Sequence, residues 1–215
     1  MWGFGIWFFR PFFAFYFSCP PKISVDNAKS RSGKWAMPYR SEFADWVPFT
    51  PEQVFLFFAD PKNLPRIMPP STDTRIEHLS LEPPPPAPGS FNSLQSLAGV
   101  GSEIVTSFRV MPPLPFRGQW IARITEFEWN HHFADTQVRG PFASWLHRHE
   151  VAAEERNGVP GTLVRDRIEY QIGFRVLGAA AERLFVGRQL KVVFAHRQKV
   201  LGELLREAYG DGADR

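Results

Sequence analysis

Between Tyr39 and Ile172 the apolar residues alternate with polar ones or fall in short blocks, the spacing of strands. From Leu177 they recur every three or four residues, the spacing of a helix. Ser41–Phe49 has strand length and closes at Pro48. Thr50-Pro51-Glu52-Gln53 then reads as a helix start, with Thr50 as N-cap, Pro51 in the first turn and Gln53 placed to complete a capping box. Val54, Phe55, Phe57 and Phe58 give that helix a broad apolar face, and Asp60-Pro61 stops it, because a residue before proline resists the helical conformation. A second short helix is expected over Lys62–Ile67 and a strand over Thr74–Leu81. Pro83–Pro86 and Pro88-Gly89-Ser90 cannot sit inside a sheet, so 82–99 is expected to be a solvated surface loop.

Five more strands are expected: Ser102–Met111, Phe116–Glu128, His132–Arg139, Ser144–Glu154 and Gly161–Ile172. Turn-forming pieces join them at Pro112-Pro113, Asn130-His131, Gly140-Pro141 and Asn157-Gly158. Consecutive strands with no helix between them predict an antiparallel meander. In the helical stretch Leu177–Glu207, Leu190, Val193, Phe194, Val200, Leu201, Leu204 and Leu205 form an apolar stripe, with Arg188, Lys191, Arg197 and Lys199 around it. At ~1.5 Å per residue this helix would reach roughly 40 Å, enough to cross a curved sheet. The expected fold is α+β: a curved antiparallel sheet of about seven strands around a long C-terminal helix, with two short helices after the first strand. A sheet that grips one helix in this way leaves room for a cavity between them.

Asn157-Gly158 is the strongest hairpin signal in the chain, because both residues tolerate the positive φ of a two-residue turn. With those two at the turn, Arg165 faces Glu150 as a cross-strand ion pair, Asp166 faces His149, Ile168 faces His147 and Tyr170 faces Trp145. One face then carries Trp145, His147, His149, Val151, Val164, Asp166, Ile168 and Tyr170. The other carries Ser144, Leu146, Arg148, Glu150, Arg165, Arg167 and Glu169, is nearly all charged, and must be wet. The first face is therefore inward, where Asp166 needs a partner, and His149 is the expected one. Asp135 and Gln137 share a side with Phe133 and reach the same histidines if that side is inward.

A carboxylate beside a histidine orients a general base, so His147, His149, Asp135 and Asp166 are the candidate catalytic residues. Two histidines at i and i+2 with carboxylates also match a metal-ligand set. The reading adopted is a third one, a hydrogen-bonded polar network that tunes an apolar cavity. Its expected ligand-binding residues are Trp145, His147, His149, Val151, Val164, Ile168, Tyr170, Asp135 and Gln137, with no metal and no cofactor. Gly99-Val100-Gly101 reads as a turn, and the chain has no Gly-rich phosphate loop and no G-x-S-x-G elbow.

Composition trims these possibilities. The 215 residues are 44% hydrophobic and 22% charged, which excludes wholesale disorder. A lone cysteine, Cys19, excludes an intramolecular disulfide framework and any multi-cysteine metal cluster. The net charge of +3 invites a nucleic-acid partner, but residues 1–36 hold Arg10, Lys22, Lys29, Arg31 and Lys34 against Asp26 alone. The rest of the chain is left with one more acidic than basic group, so no nucleic-acid partner is expected.

The first 17 residues include ten aromatics, interrupted by Arg10-Pro11. That run is shorter than the ~20 residues a spanning helix needs. Met1–Phe9 lacks the basic residues of a secretory signal, and Phe17-Ser18-Cys19 is a poor lipoprotein cleavage site. Three readings remain: an interfacial anchor giving peripheral membrane contact through residues 2–17, a degenerate signal, or sequence in front of a true start at Met37. The last is preferred. Residues 1–36 are thus an expected aromatic leader and linker, disordered or outside the native protein, 37–208 the ligand-binding domain and 209–215 a disordered tail, in a cytoplasmic protein.

Several motifs resemble a known superfamily. Val47-Pro48-Phe49-Thr50-Pro51-Glu52-Gln53-Val54-Phe55 and Phe58-Ala59-Asp60-Pro61-Lys62-Asn63-Leu64 resemble the opening of START-like (SRPBCC) proteins. Phe133-Ala134-Asp135-Thr136-Gln137-Val138-Arg139-Gly140-Pro141-Phe142, Trp145-Leu146-His147-Arg148-His149-Glu150, Gly161-Thr162-Leu163-Val164-Arg165-Asp166 and Leu184-Phe185-Val186-Gly187-Arg188-Gln189-Leu190 are similar to the bacterial polyketide cyclase/dehydrase-like branch. The resemblance implies a helix-grip fold with a deep hydrophobic cavity that holds a lipid, quinone or polyketide-like molecule. It implies little about catalysis, since only some members are enzymes. Non-catalytic binding of a small hydrophobic ligand is the expectation. A cyclase, dehydratase or hydrolase using a His/Asp acid–base pair on a ketide-like substrate is the alternative.

Overall fold

The alternating pattern at the start of the body makes the first strand, β1 (Tyr39–Val47), and the capping box then starts α1 (Pro51–Ala59). Thr50 Oγ1 accepts from the Gln53 amide at 3.3 Å, while Gln53 Oε1 accepts from the Thr50 amide at 3.0 Å. Asp60 ends α1 and caps the 3₁₀ turn Pro61–Asn63, which runs into the single turn α2 (Leu64–Ile67). The strands that follow are β2 (Arg75–Ser80), β3 (Glu103–Arg109), β4 (Arg117–Glu128), β5 (His132–Arg139), β6 (Ser144–Ala153) and β7 (Thr162–Gln171), and the long helix α3 is Gly187–Tyr209. The structure, a computed structural model, describes residues 38–87, 96–109, 115–172 and 185–210. The leader, the residues 177–184 expected to open the long helix, and the tail from 211 onward lie outside the described residues.

The seven strands form one antiparallel sheet in the order β1-β7-β6-β5-β4-β3-β2. Asn157 (φ 53°) and Gly158 (φ 77°) make the expected two-residue turn, and the register follows: His149 opposite Asp166, His147 opposite Ile168, Trp145 opposite Tyr170. Irregularities in β4, between Ile121 and Ala122 and between Ile124 and Glu126, add the local twist that bends the sheet. Gly161 stands where a Cβ would meet the Trp46 ring and the Val47 carbonyl at 2.5 Å, so no side chain fits there.

Three expectations need correction. The feet of the proline-rich segment are not solvated: Leu97 and Ala98 are buried, the Ala98 amide donates to the Ala59 carbonyl at 3.0 Å, and Trp129 Nε1 donates to the Pro85 carbonyl at 2.9 Å. The core recruits them because the end of α1 would otherwise be uncovered. Residues 88–95 lie outside the described residues. The cation that reaches Glu150 is Arg167, on the diagonal, at 2.8 Å, rather than Arg165 directly opposite. Arg197 does not belong to the wet flank of α3; with Phe194, Leu201 and Leu205 it is one of the helix's buried residues.

The space between sheet and helix holds two apolar clusters. One gathers Val54, Phe55, Phe57, Phe133, Val164, Leu201 and Leu205 with others beneath α1. In the second, the buried members among the described residues are Ile168, Tyr170 and Phe194, and Tyr39, Phe43, Phe142, Trp145, Leu190 and Val193 around them are partly exposed.

Candidate functional site

Side chains of a strand alternate, so the register above sends His147 and His149 of β6 and Asp166 of β7 to the same face of the sheet. Asp135 of β5, the cross-strand partner of His147, joins them. These four meet Arg197, which reaches down from α3. Both Arg197 guanidinium ends contact the Asp166 carboxylate: Nη1 donates to Oδ1 at 2.9 Å, and Nη2 meets Oδ2. Asp166 is fully buried and Arg197 is 5% exposed, so this is a desolvated bidentate pair. The guanidinium also lies over two rings, 4.7 Å from the centre of Phe194 and 5.0 Å from that of Phe58.

The histidines fill the gap between the two carboxylates. His147 Nε2 is 3.0 Å from Asp166 Oδ1, and its Nδ1 is 3.7 Å from Asp135 Oδ2. His149 Nδ1 lies 2.8 Å from the same Asp166 oxygen, out of line for a hydrogen bond, and its Nε2 is 3.9 Å from Asp135 Oδ2. The two imidazoles are 3.9 Å apart, and Phe133 and Phe58 stack on His149 with centroids at 4.5 and 5.7 Å. Asp166 therefore has the histidine contact read from the sequence, but its principal partner is Arg197.

Burial sets the protonation states. It lowers His147 to about 4, an effect that Arg197 strengthens and Asp135 opposes. His149 is pushed well below the ordinary histidine range by burial, then by His147 and Arg197. Burial raises the Asp135 carboxyl, with His147 and Trp145 pulling the other way. Arg197 falls to about 9, chiefly through burial, and stays charged at neutral pH. The site thus combines one ion pair, two neutral imidazoles and a carboxyl that is easier to protonate than usual. It can accept a proton, hold a polar group or ligate a cation.

The remaining expected residues divide. Trp145 lies at the edge of the cluster, packed edge-on against Trp120 and tilted against Tyr170, with its buried indole N–H acting on the Asp135 carboxyl. Ile168 and Tyr170 are buried beside it, and Val151 and Val164 belong to the denser apolar cluster. Gln137 is used elsewhere: its amide donates to the Phe142 carbonyl at 2.8 Å and accepts from the Phe142 amide at 3.2 Å, tying the β5–β6 turn. The residue that sequence reasoning missed is Arg197. Its signal was present, since it falls three residues after Phe194 and four before Leu201, on the stripe itself.

Two open grooves lie apart from the cluster. One of about 480 Å³ runs between the α2 region and the flank of α3, lined by Arg66, Pro70, His196 and Val200 among others. The other, about 310 Å³, is on the sheet around His131, Arg148 and Arg165. Among the described residues no helix is long and apolar enough to cross a membrane.

No family model matches the sequence, and no curated protein matches it. Solved structures do. A START superfamily protein from Mycobacterium smegmatis superposes with a TM-score of 0.53 at 14% identity, over 79% of this chain and 98% of that one. A norcoclaurine synthase point mutant from Thalictrum, in complex with a transition-state analogue, gives 0.53 at 14% identity over 81% and 99%. A major latex-like protein from Panax ginseng gives 0.51 at 14% identity over 79% and 98%. At such identities the likeness is one of backbone, and what it establishes is that this chain has the START-like, helix-grip fold.

Proposed function

We propose that the chain binds a small hydrophobic molecule between sheet and C-terminal helix, at the end where Trp145, Tyr170, Phe43 and Leu190 meet, and does not transform it. The observation that carries this is the contrast in packing: large apolar side chains line that end yet stay partly exposed, which costs free energy unless something apolar covers them. The Asp135–His147–His149–Asp166–Arg197 cluster borders the same end through Trp145 and Phe194, and supplies a polar contact for one end of a mostly apolar ligand. A lipid, quinone or polyketide-like molecule has that character, and the resemblance to the polyketide cyclase/dehydrase-like branch favours the last. We place the protein in the cytoplasm.

Native mass spectrometry and solvent extraction of purified protein are expected to reveal a bound hydrophobic molecule. Adding a matching lipid or quinone should raise the melting temperature and quench Trp145 fluorescence. A protein that is empty and unmoved by every member of such a panel would refute the proposal.

One observation favours a second reading, acid–base catalysis on a ketide-like substrate. His147 is neutral, and each ring nitrogen faces a different carboxylate, the environment of a positioned base. Norcoclaurine synthase is an enzyme on this backbone. Turnover of a ketide panel by the wild type, lost in His147→Ala and His149→Ala while binding persists, would favour catalysis. No turnover by the wild type leaves the binding reading.

A further inference from the structure

Asp135, His147 and His149 turn three electron-pair donors toward one small volume. Asp135 Oδ2 is 3.7 Å from His147 Nδ1 and 3.9 Å from His149 Nε2, and one ligand atom from each residue lies within 4.8 Å of the others. Those separations are too long for hydrogen bonds. The opposite edges of both rings face Asp166: His147 Nε2 hydrogen-bonds one carboxylate oxygen at 3.0 Å, and His149 Nδ1 is pressed to 2.8 Å from the same oxygen, out of line. The Arg197 guanidinium donates to both oxygens of that carboxylate, including the one the imidazoles face, so Asp166 only accepts.

A neutral imidazole carries one N–H, and a bare ring nitrogen pressed against a carboxylate oxygen is repelled. Each ring therefore keeps its proton on the Asp166 side. The nitrogens left bare are the two that face Asp135. A proton on Asp135 would serve only one of them, and neither is near enough to receive it. Two bare imidazole nitrogens converge on a carboxylate whose one neighbouring donor is the Trp145 indole N–H, and that donor serves neither nitrogen; such a set is what a cation satisfies.

We propose that Asp135, His147 and His149 bind one divalent first-row transition-metal ion, and that Asp166, clamped by Arg197, is the outer carboxylate that orients His147 and abuts His149. The backbone fixes the three ligands on one sheet face through the i, i+2 spacing on β6 and the cross-strand position of Asp135. Phe133 stacked on His149 resists rotation of that ring. Tetrahedral ligands at ~2.0–2.1 Å from zinc stand about 3.3 Å apart, so ligation asks the two Asp135 separations to close by about half an ångström, and the pair of imidazole nitrogens, within 4.8 Å of each other, to close by no more than about 1.5 Å. Three protein ligands leave at least one position for water or an oxygen of a bound molecule. The Asp166–Arg197 pair is neutral as a unit, so the ion and Asp135 together keep a positive charge. The open position therefore favours an anionic oxygen, such as a carboxylate or enolate. This inference stands whether or not the ligand is hydrophobic.

The test uses the full chain, stripped with chelator and titrated with Zn²⁺ by calorimetry and with Co²⁺ by visible absorption. One ion per chain is expected. His147→Gln and His149→Gln should each weaken binding ~100-fold or more, since loss of outer-shell partners alone can reach that figure; circular dichroism checks that each variant folds. The described residues contain one other His-rich trio, Glu128, His131 and His132 at the β4–β5 turn, and the double variant His131→Gln/His132→Gln removes it. That double variant is expected to bind as the wild type does. Its zinc X-ray absorption spectrum should report two imidazoles and at least one oxygen, a readout that does not depend on whether the site variants fold. Absence of stoichiometric binding, binding that survives in His147→Gln but disappears with His131 and His132, or a spectrum without two imidazoles would overturn the proposal.

Discussion

The two ends of the sheet–helix interface use the same materials differently. Beneath α1, aromatic and aliphatic side chains such as Phe55, Phe57 and Leu201 are shut from water. At the other end Ile168, Tyr170 and Phe194 are the buried members among the described residues, and rings as large as Trp145 and Phe43 remain half covered. Between them lies a belt of charge, with Asp166 and Arg197 at its centre. The first end is packed for stability. The second gives up some of that packing, and the belt keeps the denser core from spreading into it.

Breaking the belt should have the largest effect. Arg197→Met leaves Asp166 charged, buried and unpaired, and is expected to cost ~3–5 kcal/mol in urea unfolding. Arg197→Met combined with Asp166→Leu should recover most of that loss, because two apolar side chains need no partner. Nearly as large is the cost of emptying the dense end: Phe55→Ala, at a site with no exposure, should lose ~3–5 kcal/mol. Trp145→Ala removes a bigger ring but, being half covered already, should cost less than about 2 kcal/mol while abolishing ligand-induced stabilisation. Equal losses for the two substitutions would erase the distinction between the ends.

Acid sharpens the same comparison in metal-free protein. His147 titrates at about 4 when folded and near 6.5 when unfolded, so between those values the unfolded chain binds the extra proton. Stability from this group is therefore complete above pH 6.5 and falls as the pH drops toward 4, by roughly 3 kcal/mol. The groups facing it are Asp135, His149, Asp166 and Arg197; the raised Asp135 carboxyl works in the opposite sense and offsets part of the fall. His147→Gln should reduce the dependence in a pH series of thermal melts, leaving the part contributed by His149, which burial also lowers. The smallest effect is local to the dense end: Thr50→Ala removes the cap of α1 and should cost ~1 kcal/mol, with no change in ligand or metal binding.

Much of the fold could be read from local chemistry. Asn157-Gly158 admits one tight turn, and that turn alone aligned His147, His149, Asp166 and Tyr170 on one face. The capping box located α1 to the residue. What failed were side chains whose surroundings come from distant sequence. Arg197 looks like the wet flank of an amphipathic helix until Asp166, thirty-one residues earlier, is known to lie beneath it. Gln137 has the strand parity of Asp135, yet the turn at Phe142 offers its amide two backbone partners, and it takes them. Leu97 and Ala98 were obscured by the prolines before them, which describe the excursion of a loop and not where it lands.

The strand order carries one more consequence. Among the described residues β1 hydrogen-bonds only to β7, with Tyr39 opposite Tyr170, so the first of these strands to be made has no neighbour until the last one exists. On a ribosome the opening strand must wait, its edge unpaired, while nearly the whole meander emerges. Pairings that distant in sequence slow closure, and refolding in the millisecond-to-second range is the natural pace for such a sheet.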